Sequence, residues 1–220
     1  MKTGLESVAY FGLYDYAEGL KKLKSHGYEC VDYGELCKRN SDLYTFDNDK
    51  YRRFLSDIGE EAYKQGVEIR QLHGLWATDD KTRELREESI RYFIKEIEGA
   101  HYLGCKNIVI HPFLPYGWGA EIDKDKIWDV NVDLFTRLLP YAEKYGVTIC
   151  AENQPFTAVA MSTVKEVKKL VRAIDNPLLK VCLDTGHANV FHDDLAADVR
   201  LLGNDLATLH VHDNKGNWDQ

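Results

Sequence analysis

Apolar positions along the chain follow two rhythms that alternate. Ile90, Phe93, Ile94 and Ile97 fall at i, i+3, i+4 and i+7, one face of a helix. Val164, Val167, Val171 and Ile174 repeat the pattern, and Thr163 with Glu166 forms a capping box at its start. Tyr51, Phe54, Leu55, Ile58 and Ala62 mark a third helix, and Ile127, Val130, Leu134, Leu138 and Tyr141 a fourth, with a kink expected at Pro140. Leu195, Val199 and Leu202 mark a fifth, with Asp193-Asp194 as N-cap and Gly203 as its stop. Between the helices lie continuous apolar runs: VAYFGL (8–13), YECVDY, VEIRQLH, NIVIH, VTICAE, KVCLD and ATLHVH. Continuous runs suit parallel strands covered on both faces. Gly27, Gly66, Gly104 and Gly146 separate helix from strand, the last three about 40 residues apart, the length of one strand–helix unit.

Seven strands joined by helices allow an open doubly wound sheet or a (β/α) barrel. No GxGxxG or P-loop follows the first run, which removes the main signature of the nucleotide-binding open sheet. The strand ends favour the barrel. The third run ends at His73, the fourth at His111 and the fifth at Glu152. The sixth ends at Asp184, with His187 three residues later, and the seventh carries His210 and His212. One histidine at a strand end can simply bond a loop, and one acid there is often the N-cap of the next helix. Recurrence on five successive strands is a different matter, because a barrel gathers those ends into one mouth. Imidazole and carboxylate together suit zinc, manganese, cobalt or iron(II). His26, His101 and His192 fit structural or surface roles, His101 continuing the apolar face of the helix that holds Ile90 and Ile97.

The 220 residues, 44% hydrophobic and 29% charged, fit one globular domain spanning 1–220. No apolar run is long enough for a membrane helix, and the N-terminus lacks a signal-peptide pattern. The five cysteines form no spaced pairs. Cys30, Cys105, Cys150 and Cys182 read as small buried hydrophobes, which points to a reduced, cytoplasmic protein. A net charge of −8 disfavours nucleic acid as a partner, since phosphates would be repelled.

CLDTGHAN, IVIHP, the ENQP after VTICA, and LHVHDNKG resemble the xylose-isomerase-like TIM-barrel superfamily, which holds sugar-phosphate isomerases and epimerases and AP endonucleases of family 2. The resemblance runs over nearly the whole chain; LDTGH and HVHDN are its specific parts. It implies an α/β fold, a (β/α)8 TIM barrel whose eighth βα unit is missing or truncated here. It implies one divalent metal ion (manganese, zinc, cobalt or magnesium) on Glu152, Asp184 and His210. His187 would bind a substrate oxygen or a second metal, and His73 and His111 would face substrate or further metal.

The activity so implied is a metal-dependent sugar isomerase or epimerase, acting on a ketose or related polyol through an enediolate. Glu152 would move the proton and His187 would hydrogen-bond the oxygen that gains charge. Trp76, Phe113 and Trp118, in loops after the strands, are candidate walls of a small-sugar pocket. The alternatives are a zinc-dependent AP endonuclease-like phosphodiester hydrolase and a non-catalytic sugar-binding barrel. A homo-oligomer is compatible with any of these readings.

Overall fold

The computed structural model describes residues 2–117 and 123–219, so Trp118 lies outside the described residues. Its elements are β1 (Gly4–Glu6), α1 (Val8–Phe11), α2 (Tyr16–Ser25), β2 (Cys30–Tyr33), α3 (Asn48–Gln65), β3 (Glu68–His73), α4 (Arg83–Tyr102) and β4 (Asn107–Ile110). There follow α5 (Lys124–Tyr145), β5 (Thr148–Glu152), α6 (Val164–Ile174), β6 (Leu179–Asp184), α7 (Thr185–Val190), α8 (Leu195–Leu202) and β7 (Leu206–His210). The seven strands are parallel and pair strictly in chain order, β1 to β7. Helices return the chain between strands, and the sheet curls as in a TIM barrel. No ladder joins β1 to β7 among the described residues.

The cap signals act as their chemistry requires. Thr163 and Glu166 form the reciprocal box at the start of α6, and Asp194 accepts from Ala197 N–H at the start of α8. Gly66 and Gly146 close α3 and α5 at φ 67° and 65°, a left-handed conformation that a Cβ resists. α5 continues through Pro140, so the missing N–H costs one bond and the helix goes on.

One run was misassigned. VAYFGL is not the first strand: Val8–Phe11 is a helical turn, and the strand is Gly4–Glu6 ahead of it. A short apolar run has no periodicity that separates strand from helix. Here Phe11 packs edge-on to Tyr16, with ring centroids 4.8 Å apart, and this turns the segment back onto α2. The true strand needs Gly4, because a Cβ there would lie 2.7 Å from Cys30 Sγ.

Pleat parity sorts each strand's residues to two sides. Val31, Ile69, Leu72, Ile108, Ile110, Ile149, Ala151, Val181 and Leu183 belong to the main core shared with the helices. Val109, Cys150 and Cys182 form a small separate cluster on the other side, with Ala207 against it. That cluster is the floor of the barrel. Two residues further along, the same parity gives His111, Glu152 and Asp184. All five cysteines are free and buried. Among the described residues, no helix is long and apolar enough to cross a membrane.

One buried acid stabilises the helical shell. Glu96 on α4 is fully buried and accepts from Leu75 N–H. Tyr44 Oη touches both Glu96 Oε1 and the Leu36 carbonyl oxygen, the latter at 2.7 Å. The phenol has one proton for these two acceptors, so the second bond is satisfied when Glu96 is protonated and donates to Tyr44. Burial pushes its carboxyl in the same direction, up to about 8, against the pull of the Tyr44 and Leu75 bonds. This raised value contributes stability that is full below pH 4.5, lost as pH rises, and gone above about 8. Glu96→Gln keeps both bonds without an ionisable group. In urea titrations the variant should match the parent at low pH and exceed it above pH 8; parallel pH curves would refute the protonated assignment.

Candidate metal and substrate centre

The polar strand ends meet around one carboxylate. Glu152, 1% exposed, ends β5. His111 Nε2 lies 2.7 Å from its Oε2, and His210 Nδ1 lies 2.8 Å from its Oε1. His187 Nδ1 is 3.6 Å from Oε1 and His73 Nε2 is 3.9 Å from Oε2. Asp184 Oδ2 lies 3.8 Å from His210 Nδ1, so Glu152 and Asp184 both flank that nitrogen. The ring of His73 stacks on that of His210, centroids 5.4 Å apart.

DTGH is the N-terminal turn of a helix. Asp184 is the N-cap of α7, its Oδ1 accepting from His187 N–H at 2.7 Å. The cap fixes His187, which donates Nδ1–H to the Asn153 carbonyl at 2.7 Å. Asn153 binds the end of β6 in return, through Asp184 N–H at 2.8 Å and the Asp184 carbonyl at 3.0 Å. His187 Nε2 then meets Asp219 Oδ1 at 3.2 Å. His212 points as His210 does, toward Asp184, with Nε2 3.0 Å from Oδ1.

The charges are interdependent. Burial favours neutral Glu152, but the His210 and His111 imidazoles outweigh it and hold the carboxyl well below its usual range. Burial opposes a charge on His210, yet Cys182, Glu152 and Asp32 beside it raise it well above an ordinary histidine. His187 is likewise raised to about 9, with Asp219, Glu152 and Asp184 overcoming burial. His73 goes the other way, because burial outweighs the pull of Glu152. A neutral His73 agrees with its contacts: Nδ1–H donates to the Gly74 carbonyl at 2.9 Å and Nε2 keeps a lone pair.

Among the described residues, donor atoms within 4.8 Å of one another form three groups: His73, His111 and Glu152; Glu152, Cys182 and His210; Asp184, His187 and His212. Cys182 is the poorest donor, since burial keeps its thiol protonated. The oxygen and nitrogen set fits a divalent cation. His210 Nε2, Asp32 Oδ1 and Asp219 Oδ1 are buried without a hydrogen-bond partner, as expected of a site built around a further group.

Two expectations about the pocket change. Phe113 is a core residue, 1% exposed and packed against Phe93. Asn131 on α5 binds both its N–H and its carbonyl, which fixes the backbone with the ring turned inward. Trp76 is 55% exposed and directs its indole N–H to His73 Nε2 at 3.4 Å. Two cavities have other linings. One of about 320 Å³ is lined by Phe156, Val190 and Trp218 among others; another of about 450 Å³ lies between Tyr16, Glu35, Lys38 and Phe54. Asp32 and its partner Gln71 were missed, because an acid in CVDYGE looks like any strand exit. His101 is exposed instead of lying on the buried face, and bonds the Tyr145 carbonyl at 3.1 Å.

The family model described as "Xylose isomerase-like TIM barrel" matches residues 20–220. The chain belongs to that family. An uncharacterized protein of Methanocaldococcus jannaschii is 27% identical over all of this chain and 73% of its own length. The D-psicose 3-epimerase of Ruminiclostridium cellulolyticum is 29% identical over 71% of this chain, and the match spans 56% of the epimerase. The crystal structure of a D-tagatose 3-epimerase-like protein superposes with a TM-score of 0.74 at 25% identity, covering this whole chain and 79% of its own.

Gly186 gives a direct check of the motif's packing. A Cβ there would lie 2.0 Å from His212 Cε1, so the ring occupies the glycine's vacancy. Gly186→Ala should destabilise the protein by about 1–2 kcal/mol through that clash. In a His212→Ala background the same change should stabilise by about 0.5–1 kcal/mol, from helix propensity alone. Urea unfolding of the four proteins measures both signs; equal effects in the two backgrounds would refute the contact.

Proposed function

We propose that this family member is a divalent-metal-dependent sugar epimerase or isomerase acting on a ketose or related polyol. The observation that carries the reading is that Glu152 and Asp184 both flank Nδ1 of His210, at 2.8 and 3.8 Å. Two buried carboxylates beside an imidazole would form an oxygen and nitrogen site with positions left for substrate. When bound there, a divalent cation supplies Lewis-acid polarisation of a carbonyl and its adjacent hydroxyl.

The chain's own groups supply the rest. Glu152 is held ionised, so it can take a proton from the carbon next to the carbonyl. His187, fixed by the Asp184 cap and the Asn153 carbonyl, offers Nε2–H to the oxygen on which charge grows. Asp219 Oδ1, an ion-pair partner 3.2 Å from that nitrogen, favours the protonated ring until substrate arrives. Isomerisation can return the proton from Glu152; epimerisation needs a second proton carrier on the opposite face of the carbon. The D-psicose 3-epimerase relative supports a ketose among possible substrates.

A second reading rests on a specific observation. His73 and His111 share Glu152 as a group able to hold an ion, and Asp184, His187 and His212 form another. More than one ion would suit a phosphodiester hydrolase acting on an abasic site. The net charge of −8 weighs against it, because DNA would approach an acidic protein.

Metal content and isotope exchange separate the readings. One ion per chain, with solvent deuterium entering ketoses such as psicose and tagatose, is expected. Glu152→Gln should lower that exchange by 10²-fold or more, on the order of a general-base contribution, while the sugar still binds. Full exchange in the variant would remove Glu152 from its role. Two or three ions together with cleavage of abasic duplex DNA would favour the hydrolase.

A further inference from the structure

His210 presents a different ring nitrogen to Glu152 from His73 and His111. His73 donates Nδ1–H to the Gly74 carbonyl at 2.9 Å. A carbonyl only accepts, so that ring carries hydrogen on Nδ1 and turns Nε2 to Glu152 Oε2 at 3.9 Å, and His111 presents Nε2 to the same oxygen at 2.7 Å. His210 is reversed: Nδ1 faces Glu152 Oε1 at 2.8 Å and Asp184 Oδ2 at 3.8 Å. Its Nε2 points to the far side, where Asp32 Oδ2 lies 3.3 Å away.

That contact is close but out of line. Nε2 of His210 and Oδ1 of Asp32 are both buried without a hydrogen-bond partner. Gln71 Nε2–H holds Asp32 Oδ2 at 3.0 Å, leaving Oδ1 free. A turn of the carboxylate about its Cβ–Cγ bond, or a tilt of the imidazole, brings an oxygen into line with the ring N–H.

The sheet is irregular at this place. Val31 pairs with Ile69, but Asp32 pairs with Gln71, so Arg70 is an extra residue in β3. Bulges re-aim side chains, often beside functional sites. In regular register Asp32 would stand against Arg70, whose guanidinium is exposed and pairs with Glu68 at 3.1 Å. The bulge replaces that cation with a neutral amide, and the carboxylate's charge is left to His210.

We infer that Asp32 is the positioning residue that holds the ring hydrogen of His210 on Nε2, so that the Nδ1 lone pair faces the point shared by Glu152 and Asp184. This rests on reading those three residues as the metal-binding set. A carboxylate behind a ligating imidazole fixes its tautomer and raises its basicity, and losing one typically lowers metal affinity 10–100-fold.

The test uses the 220-residue chain, with zinc as probe, and needs no sugar. Chelator competition measures affinity, and two-bond ¹H–¹⁵N correlation on ¹⁵N-histidine protein identifies the ring nitrogen bound. The parent is expected to bind zinc through His210 Nδ1. Asp32→Ala should bind 10–100-fold more weakly, with His210 shifted toward Nε2 or detached. Asp32→Asn keeps an acceptor for the N–H and should recover part of the affinity and the Nδ1 pattern. A purely structural role would lower the melting temperature without changing the nitrogen bound. Should Asp32→Ala not fold, Asp32→Asn decides alone: zinc affinity and ring nitrogen unchanged from the parent overturn the inference. Asp32→Ala within threefold of the parent, with Nδ1 still bound, overturns it while leaving the metal reading intact. A parent chain that binds no zinc overturns both.

Discussion

Glu152 stays charged where 1% of its surface reaches solvent, and much of the barrel mouth follows from that. A buried carboxylate without partners would take up a proton. His111 and His210 prevent this through one oxygen each, and His187 and His73 stand behind them at 3.6 and 3.9 Å. The positive charge on His210 that helps keep Glu152 ionised is also what a divalent cation would replace. Ion and proton therefore compete for the same lone pair.

This neutralisation depends on parity. A side chain reaches the barrel interior only at every second position of its strand, so one slip of register would turn its whole inward set to the helices. The pairing of Asp184 with His210 sets those two polar groups level, and Glu152 stands beside Cys182, two residues above Cys150 on its own strand. A floor of small side chains lets the polar layer sink until water is excluded. Larger residues there would lift Glu152 toward solvent, and its partners would lose the low-dielectric setting that makes them effective.

Much of this was legible in the sequence, and the gaps have physical causes. The capping box at Thr163 and the N-cap at Asp194 are local chemistry, so α6 and α8 were readable where they start. The runs from YECVDY onward are strands because continuous apolar stretches between helices have few other places to go. VAYFGL failed because Val8 and Phe11 suit a helical turn as well as a strand. Phe113 failed because the side an aromatic ring takes is decided by Asn131, on another element. Asp32 was hidden for a similar reason: the bulge at Arg70 that gives it Gln71 as neighbour belongs to the pairing of β2 with β3.

Asp184 brings these strands of argument together, because its two explanations are both true. An acid at a strand end is often a helix N-cap, and here Oδ1 caps α7 through His187 N–H. The same cap turn fixes where His187 sits, so the spacing of DTGH is the geometry of one helical turn. Oδ2 is left to face His210 at 3.8 Å. Each oxygen of the carboxylate thus has its own direction, one set by the backbone and one by the centre. Ligand geometry at this position is consequently coupled to helix formation: a change that frays α7 would release His187 and rotate Asp184 together. Gly186 protects that coupling by leaving room for His212, which leans on the capped carboxylate from the other side at 3.0 Å. Asparagine would keep the cap, since it is as good an N-cap as aspartate, but would remove charge from the centre. That substitution separates the two functions of the residue: α7 should persist while affinity for a cation falls.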